Sequence, residues 1–237
     1  MSRIGIIAAL PEEVKMLTRK TLQHGECLIS EQFIICAAGI GAKNATKACE
    51  LLHDKGAVAL FSWGCAGALD PKLSAGDLIL PARVTDSNGS VIETSASWSH
   101  KLQTAFSTKQ PFNRGLLIQS PTMVTSVSEK QNLFNTTTAV AVDMESYSIG
   151  SYAQQHHLPF IACRAIADSA QTELPEPVVN AMDAQGRIDH RKVLPGTLLR
   201  PWTIGPMVRL GIHFSKAQST LATIAEQLIQ IDHQRTS

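Results

Sequence analysis

Two apolar segments that each end in acidic residues constrain the fold of this chain more than any other feature. Residues 139–146 read AVAVDMES, and residues 160–168, about one helix length further on, read FIACRAIAD. Short apolar runs of this kind are typical of strands buried on both faces of a parallel sheet. Ligands of open α/β sheets bind at the carboxyl ends of such strands. We therefore predict an enzyme in which Glu145 and Asp168 face one crevice.

The rest of the chain continues this pattern and predicts an α/β fold. Helical spacing at 43–53 and 148–156 separates strand candidates, which lie at residues 3–9, 32–38, 58–63, 77–84, 115–119, 139–143 and 160–166. A last helix is indicated by an apolar stripe, formed by Ala217, Leu221, Ile224, Leu228 and Ile231. Such a series predicts a central mixed, mainly parallel sheet flanked by helices. We expect one domain that spans residues 1–237.

Composition excludes several classes of protein. The net charge is +1 and the 21 basic residues are scattered, so no surface for nucleic acid is predicted. The five cysteines are odd in number and lack CxxC spacing, which indicates reduced thiols. The N-terminus has no leader-like segment, and no apolar run reaches membrane-spanning length. We expect a cytoplasmic protein without a structural metal.

Residues 171–211 form the least regular part of the sequence. Short helices and extended turns are predicted there by its prolines, which are Pro175, Pro177, Pro195, Pro201 and Pro206. Within and just beyond this part, residues 194–214 are apolar but are interrupted by Arg200 and Arg209. The segment is compatible with a lid, an oligomer contact, a surface for an apolar substrate, or an ordinary packed connection.

Two glycine-containing segments follow predicted strands. They are Gly39-Ile40-Gly41 and Gly64-Cys65-Ala66-Gly67-Ala68. Glycine lets the backbone approach a ligand closely, although such short motifs also occur in ordinary turns. Neither segment has the spacing of a dinucleotide-binding fingerprint. Together with the two acidic strand ends, these segments favour one shared pocket.

Four motifs, in this order along the chain, resemble those of the purine nucleoside phosphorylase and nucleosidase superfamily. They are GIIAAL at 5–10 with Glu12 and Glu13, residues 64–70 continuing into LSAGD, VDME at 142–145, and RAIAD at 164–168. The methylthioadenosine/S-adenosylhomocysteine nucleosidases are members of this superfamily. The resemblance covers roughly residues 1–170.

Later segments resemble a different branch of the same superfamily. DSA at 168–170, Leu174-Pro175, and the stretches 183–189 and 194–210 are similar to the hopanoid-associated phosphorylases. Asp143 is also similar to that subgroup, because nucleosidases usually carry another residue there. Those proteins are thought to remove adenine from adenosylhopane.

The resemblance implies catalytic roles for two residues of the RAIAD motif. Asp168 would protonate or hydrogen-bond N7 of a purine, which suits a carboxyl group whose pKa is raised by burial. An aspartate after a strand is also a common helix N-cap. Arg164 would orient this acid or close the site, and a purely structural ion pair is the alternative.

Further acidic positions match family residues that act on the sugar and the nucleophile. Glu145 matches the glutamate that binds the ribose hydroxyls, with Met144 against the sugar face. The alternative is a first-turn glutamate that complements a helix dipole. Glu13 matches the acid that activates water in nucleosidases. Its neighbour Glu12 lies on the same predicted helix start, and we favour Glu13.

Small and apolar residues complete the expected substrate site. The second glycine segment contributes Cys65, Ala66 and Gly67. Met123 and Val124 fall where the nucleosidases hold the purine base. A methionine packs well against a base, although core packing explains this pair equally well.

The nucleophile is either water or phosphate. Phosphorylases of this superfamily hold phosphate with an arginine and a serine, and the matching positions here are Ser62 and Cys65. Without a guanidinium to bind the dianion, hydrolysis is favoured. Arg114 or a basic residue of a partner subunit could still compensate, so phosphate remains a possible co-substrate.

These observations predict an enzyme that cleaves the N-glycosidic bond of an adenine nucleoside and needs no cofactor. Adenosylhopane is the favoured substrate, and a methylthioadenosine/S-adenosylhomocysteine nucleosidase or a purine nucleoside phosphorylase is the alternative. The resemblance also implies a homo-oligomer. A nucleoside-binding protein without turnover and a membrane-peripheral scaffold are alternatives of other classes, and an enzyme with a lipid substrate can also contact a membrane peripherally.

Overall fold

The apolar runs of the sequence pair into one mixed sheet. The structure is a computed structural model, and it describes residues 3–105, 111–181, 183 and 204–233. In this part of the chain the sheet has 11 strands, which are β1 (Arg3–Ala8), β2 (Cys27–Ile29), β3 (Phe33–Ala37), β4 (Ala57–Ala68), β5 (Leu78–Ile79), β6 (Arg83–Thr85), β7 (Val91–Glu93), β8 (Phe112–Asn113), β9 (Leu117–Gln119), β10 (Ala141–Asp143) and β11 (Phe160–Asp168).

Helices flank this sheet on both faces. Their bounds are α1 (Pro11–Thr18), α2 (Ala42–Asp54), α3 (Ala96–Ala105), α4 (Val127–Thr137), α5 (Ser146–Gln155), α6 (Glu176–Ala181) and α7 (Ile204–His233). The predicted α/β class and the mixed, mainly parallel sheet are confirmed. None of the helices in the described ranges is both long enough and apolar enough to cross a membrane.

The long strand β4 determines how the sheet is assembled. Its first half lies between β1 and β11 and is parallel to both. Its last residues pair with β10, which runs antiparallel to it, so that Val142 lies opposite Gly67. Because β10 runs back along the end of β4, the residues that follow β10 return towards the carboxyl ends of β1 and β11.

The core consists of two layers, one on each face of the sheet. On one face, α2 and α5 pack through residues such as Leu52 and Ile149. On the other face, α1 and α7 pack through Val14 and the helical stripe predicted near the C-terminus. Ala217, Leu221, Ile224 and Leu228 of that stripe are buried. The side chain of Ile231 lies outside the described residues.

Several element boundaries differ from those that the sequence predicts. The second glycine segment is not a loop after a strand, because β4 continues through it to Ala68. The predicted strand at 77–84 is two short strands with Pro81 between them, since proline cannot donate a ladder hydrogen bond. The apolar patterns of the sequence do not predict β2, β7, β8, α3 or α4.

The irregular region predicted at 171–211 is partly helical. A short helix, α6, lies within it as expected, and α7 begins at Ile204. Pro206 is tolerated in α7 because it lies in the first helical turn, where its missing N–H has no intrahelical partner. Residues 182 and 184–203, which include residues 194–203 of the apolar segment 194–214, lie outside the described residues.

A pair of glycine substitutions tests the packing of the helices. A Cβ at Gly150 of α5 would lie 2.9 Å from the ring of Phe160, whereas a Cβ at Gly211 of α7 would meet nothing within 4 Å. We expect Gly150→Ala to destabilise the protein by about 1–3 kcal/mol through overpacking. Gly211→Ala should stabilise it by up to about 1 kcal/mol because alanine favours helix. Chemical denaturation measures both, and equal effects would contradict this packing.

Candidate active site

A well-formed cavity lies where the carboxyl ends of β1, β4 and β11 meet the segment after β10. Its volume is about 470 Å³. Nine of the ten residues that the sequence predicts for the site line it, namely Glu13, Cys65, Ala66, Gly67, Met123, Val124, Met144, Glu145 and Asp168. The tenth, Arg164, lies behind the cavity wall. The crevice predicted for Glu145 and Asp168 therefore exists in the structure.

A β-bulge places Asp168 in the cavity. Ile166 pairs with Ala66 and Asp168 pairs with Gly67, so that Ala167 is an extra residue on β11. Bulges re-aim side chains, and here both Ala167 and Asp168 line the cavity. A Cβ at Gly67 would lie 3.3 Å from Asp168 Oδ2, which is a tight contact. A glycine at this position therefore leaves room for the carboxyl group.

Asp168 has a buried cationic partner that the sequence pattern does not predict. Lys130 on α4 is fully buried and forms an ion pair with Asp168 Oδ2. Its Nζ also donates to the carbonyl oxygens of Ser169, at 3.0 Å, and Thr172, at 2.8 Å. Burial raises the pKa of Asp168, and this effect exceeds the lowering by Lys130 and by His213 on α7.

Glu13 is held by backbone donors at the start of α1. Its Oε2 accepts from the N–H groups of Ala9, at 3.1 Å, and Leu10, at 3.0 Å, and its Oε1 accepts from the N–H of Cys65, at 2.7 Å. Burial raises the pKa of Glu13 despite these hydrogen bonds. A Cβ at Gly64 would lie 2.6 Å from Oε1, so the glycine leaves room for this carboxylate.

The two neighbouring glutamates of α1 are in different environments. Glu13 is 3% exposed and is fixed by three backbone N–H groups. Glu12 also borders the cavity, but it is exposed to solvent. The geometry therefore supports the preference for Glu13.

Glu145 is anchored by the first glycine segment. Its Oε1 accepts from the N–H of Gly41, at 2.7 Å. Gly41 has a φ of 92°, a left-handed conformation that favours glycine. Burial, followed by the nearby negative charge of Asp143, raises the pKa of Glu145 to about 8. The backbone of this segment thus approaches the carboxyl group of Glu145, while the side chain of Ile40 lines the cavity.

Arg164 is part of a buried network behind the cavity. Its Nε donates to Asp143 Oδ2 at 2.9 Å, and its Nη2 donates to Ser62 Oγ, at 2.6 Å, and Ser146 Oγ, at 3.0 Å. The guanidinium therefore lies against Asp143 rather than Asp168. This is the structural ion pair that the sequence left as an alternative. Its positive charge also lowers the pKa of Glu13.

Much of the cavity lining is apolar. Met123 and Val124 belong to it, as does Leu174. Leu210 and Phe214, which are one turn apart on α7, add two further apolar side chains that the sequence did not assign to the site. A nearly opposite face of α7 exposes an apolar stripe, formed by Ile204, Val208 and Ile212.

Basic side chains do not line the cavity in the part of the chain that the structure describes. The two nearest buried cations, Lys130 and Arg164, lie behind its wall and are paired with Asp168 and Asp143. Arg114, which the sequence suggested as a phosphate ligand, is exposed and is not among the lining residues. Ser62, at the position of the phosphorylase arginine, is fully buried.

Comparison with known families decides the superfamily. The family model of the phosphorylase superfamily matches residues 3–192. The chain belongs to the phosphorylase superfamily. Among curated members, it is similar to the 5′-methylthioadenosine/S-adenosylhomocysteine nucleosidase of Staphylococcus aureus. The two are 27% identical over 200 residues, which cover 72% of this chain and 88% of the relative.

Solved structures of the phosphorylase superfamily share this fold. One is a mutant of the Helicobacter pylori 5′-methylthioadenosine/S-adenosylhomocysteine nucleosidase (MTAN) with 5′-methylthioadenosine in its active site. It superimposes on this chain with a TM-score of 0.71 and 17% identity over 99% of both chains. The futalosine hydrolase of the same organism superimposes with a TM-score of 0.70 and 17% identity over 97% of both chains. At these identities, the similarity establishes the fold.

The raised pKa of Glu145 predicts a stability that depends on pH. In an unfolded chain the pKa of a glutamate is about 4.3, whereas in the folded protein the pKa of Glu145 is about 8. Between these values the folded state binds the additional proton, so stability falls as pH rises. Glu145→Gln removes this titration, while its amide oxygen can still accept from Gly41.

We expect the Tm of Glu145→Gln to exceed that of the wild type by a margin that grows from about pH 5 to about pH 8. Glu12→Gln is the matched control, because Glu12 is exposed. The plot of Tm against pH for this variant should run parallel to that of the wild type. Differential scanning calorimetry across this range measures both. Parallel curves for Glu145→Gln and the wild type would contradict the raised pKa.

Proposed function

We propose that this protein hydrolyses the N-glycosidic bond of an adenine nucleoside and releases adenine. The observation that carries the proposal is the meeting of three buried carboxyl groups, from Glu13, Glu145 and Asp168, at one cavity. Cleavage of such a bond requires an acid for the leaving base, stabilisation of positive charge on the sugar, and an activated nucleophile. Nucleosidases are among the relatives of this chain, which supports the same reaction.

In this mechanism Asp168 is the acid for the leaving base. Its buried position raises the pKa of the carboxyl group above the usual value, which favours the protonated form that an acid needs. The group donates its proton to N7 as the glycosidic bond breaks, so that adenine leaves as a neutral molecule. Met123 and Val124 contribute apolar contacts to the base.

Glu145 and Glu13 act on the sugar and on water. Glu145 binds the ribose hydroxyls, with Met144 beside the sugar, and in its ionised form it stabilises the oxocarbenium-like transition state. Glu13 is fixed by three backbone N–H groups and takes a proton from the attacking water. The cavity wall at Cys65, Ala66 and Gly67 completes the substrate contacts.

Water is the proposed nucleophile. A phosphate dianion requires cationic ligands, and in the described residues no Lys or Arg side chain lines the cavity. Ser62 lies in the buried network with Arg164 and not at the cavity surface. Phosphorolysis, as in a purine nucleoside phosphorylase, is the alternative, and it would need a cation from a partner subunit or from residues outside the described ranges.

We further propose that the 5′ substituent of the substrate is lipophilic, as in adenosylhopane. Leu210 and Phe214 of α7 add two apolar side chains to the cavity lining, which supports an apolar group on the substrate. The exposed stripe of α7 lies on another face of the helix and does not line the cavity. The resemblance of the later segments to hopanoid-associated phosphorylases supports the same assignment. Peripheral contact with a membrane, a homo-oligomeric state and action in the cytoplasm belong to this proposal.

Methylthioadenosine or S-adenosylhomocysteine is the second candidate substrate. It is favoured by the similarity to the Staphylococcus aureus nucleosidase over 88% of that protein. A cavity of about 470 Å³ also accommodates a nucleoside of this size. A nucleoside-binding protein without turnover is less well supported, because the three carboxyl groups required for chemistry are all present.

A substrate panel distinguishes these candidates. We expect adenine release from a 5′-alkyl adenosine in detergent, without dependence on phosphate, and slower release from methylthioadenosine and S-adenosylhomocysteine. Phe214→Ser should raise KM for the lipophilic substrate by about 10-fold or more, because a buried phenylalanine contributes about 1.5–3 kcal/mol. Ile212→Ser is the control, since Ile212 is exposed and does not line the cavity. Equal turnover of all substrates would contradict a lipophilic 5′ group.

Replacement of the proposed acid tests the reaction itself. Asp168→Asn should lower kcat by about 100- to 10,000-fold for every substrate, because the amide cannot supply a proton. The variant also removes the counterion of Lys130, so its Tm and circular dichroism spectrum are measured in parallel. A folded variant with near-normal turnover would exclude this role for Asp168.

A further inference from the structure

Lys130 is in an environment that lysine rarely occupies. It lies in the first turns of α4, after the N-cap Ser126, and its side chain is fully buried. Lysine is almost never fully buried unless it is paired. All three of its donors have partners, which are Asp168 Oδ2 and the carbonyl oxygens of Ser169 and Thr172. The buried end of this side chain is therefore directed at the proposed acid and the turn that follows it.

This ion pair affects a group whose charge must change during the proposed reaction. Burial alone would make Asp168 a weaker acid, because the carboxylate left after proton transfer would be poorly solvated. The ammonium group of Lys130 opposes this effect. Among the residues that the structure describes, His213 on α7 and the thiol of Cys65 on β4 also interact with Asp168. Lys130 is the one that contacts the carboxylate directly.

We propose that Lys130 is a positioning residue for the leaving-base proton transfer: it fixes the Asp168 carboxyl group at the cavity and stabilises the carboxylate that forms. The inference rests on the proposed function. In the step, the O–H bond of Asp168 breaks and an N–H bond forms on the base. The electron pair of the glycosidic bond goes to the base, and Lys130 keeps its three protons.

A structural role for Lys130 predicts a different result. Its hydrogen bonds to Ser169 and Thr172 could serve only to fix the turn after β11. In that case loss of the ammonium group would lower stability and activity at every pH by the same factor. A role in proton transfer instead requires a change in the pH dependence of turnover, since the pKa of Asp168 rises when Lys130 is neutralised.

The test compares Lys130→Met, which keeps the length of the side chain and removes the charge, with Lys130→Arg, which keeps the charge. Lys47→Met is the control, because Lys47 is exposed on α2. Steady-state adenine release is measured across pH with the best substrate of the panel. For Lys130→Met we expect kcat to fall by about 10- to 100-fold with little change in KM. The alkaline limb of kcat should move to higher pH, and Lys130→Arg should restore its position.

A folded Lys130→Met variant with an unshifted pH profile of kcat would overturn the proposal. So would changes in kcat and KM that merely parallel the decrease in Tm. If Lys130→Met does not fold, Lys130→Gln is used, because its amide can still donate to Thr172. Failure of the proposed function would be visible separately as absence of adenine release by the wild type. In that event, carboxyl ¹³C NMR of the wild type and Lys130→Met, with the Asp168 signal assigned through Asp168→Asn, still measures whether Lys130 lowers the pKa of Asp168.

Discussion

The pairing of β4 with three different strands brings the acidic groups of the site together. Its segment 64–67 donates the N–H of Cys65 to Glu13 and runs beside Asp168 at Gly67, and Val142 of β10 lies opposite that same glycine. A side chain at Gly64 or Gly67 would press on Glu13 or Asp168. The two glycines are therefore a condition for placing carboxyl groups from separate elements around one cavity. The antiparallel return of β10 then brings Glu145 to the same place.

Two buried cations offset part of the electrostatic cost of burying the three carboxyl groups. Burial raises the pKa of Glu13, Glu145 and Asp168, so the ionised form of each group is less favourable here than in water. Arg164 and Lys130 lie behind the cavity wall and partly offset this cost without entering the cavity. Buried ion pairs contribute little net stability. Their value here lies in giving three acids of similar chemistry three different environments, which is a requirement for acid and base roles in one site.

Much of the fold and most of the site could be predicted from the sequence, because apolar strand runs ending in acids are a local pattern. Lys130 could not be predicted, since a lysine after Ser126 and Glu129 has the pattern of a solvated helix start. Its burial depends on the turn at 169–172, which lies far away in the sequence. The partner of Arg164 was missed for the same reason, as Asp143 lies 21 positions away on another strand. Leu210 and Phe214 were missed as site residues because prolines suggested an irregular segment where α7 in fact begins.

The buried network of Ser62, Ser146, Asp143 and Arg164 also limits how this chain could change its reaction during evolution. Ser62 is completely inaccessible and its hydroxyl lies 2.6 Å from the guanidinium of Arg164. An arginine introduced at position 62 would therefore place a second guanidinium in contact with the first, in a fully buried space. Two like charges in contact repel each other, and burial strengthens this repulsion. The residue at position 62 is thus coupled to Arg164 in this sequence, and an anion-binding arginine at that position would require a compensating change in the network.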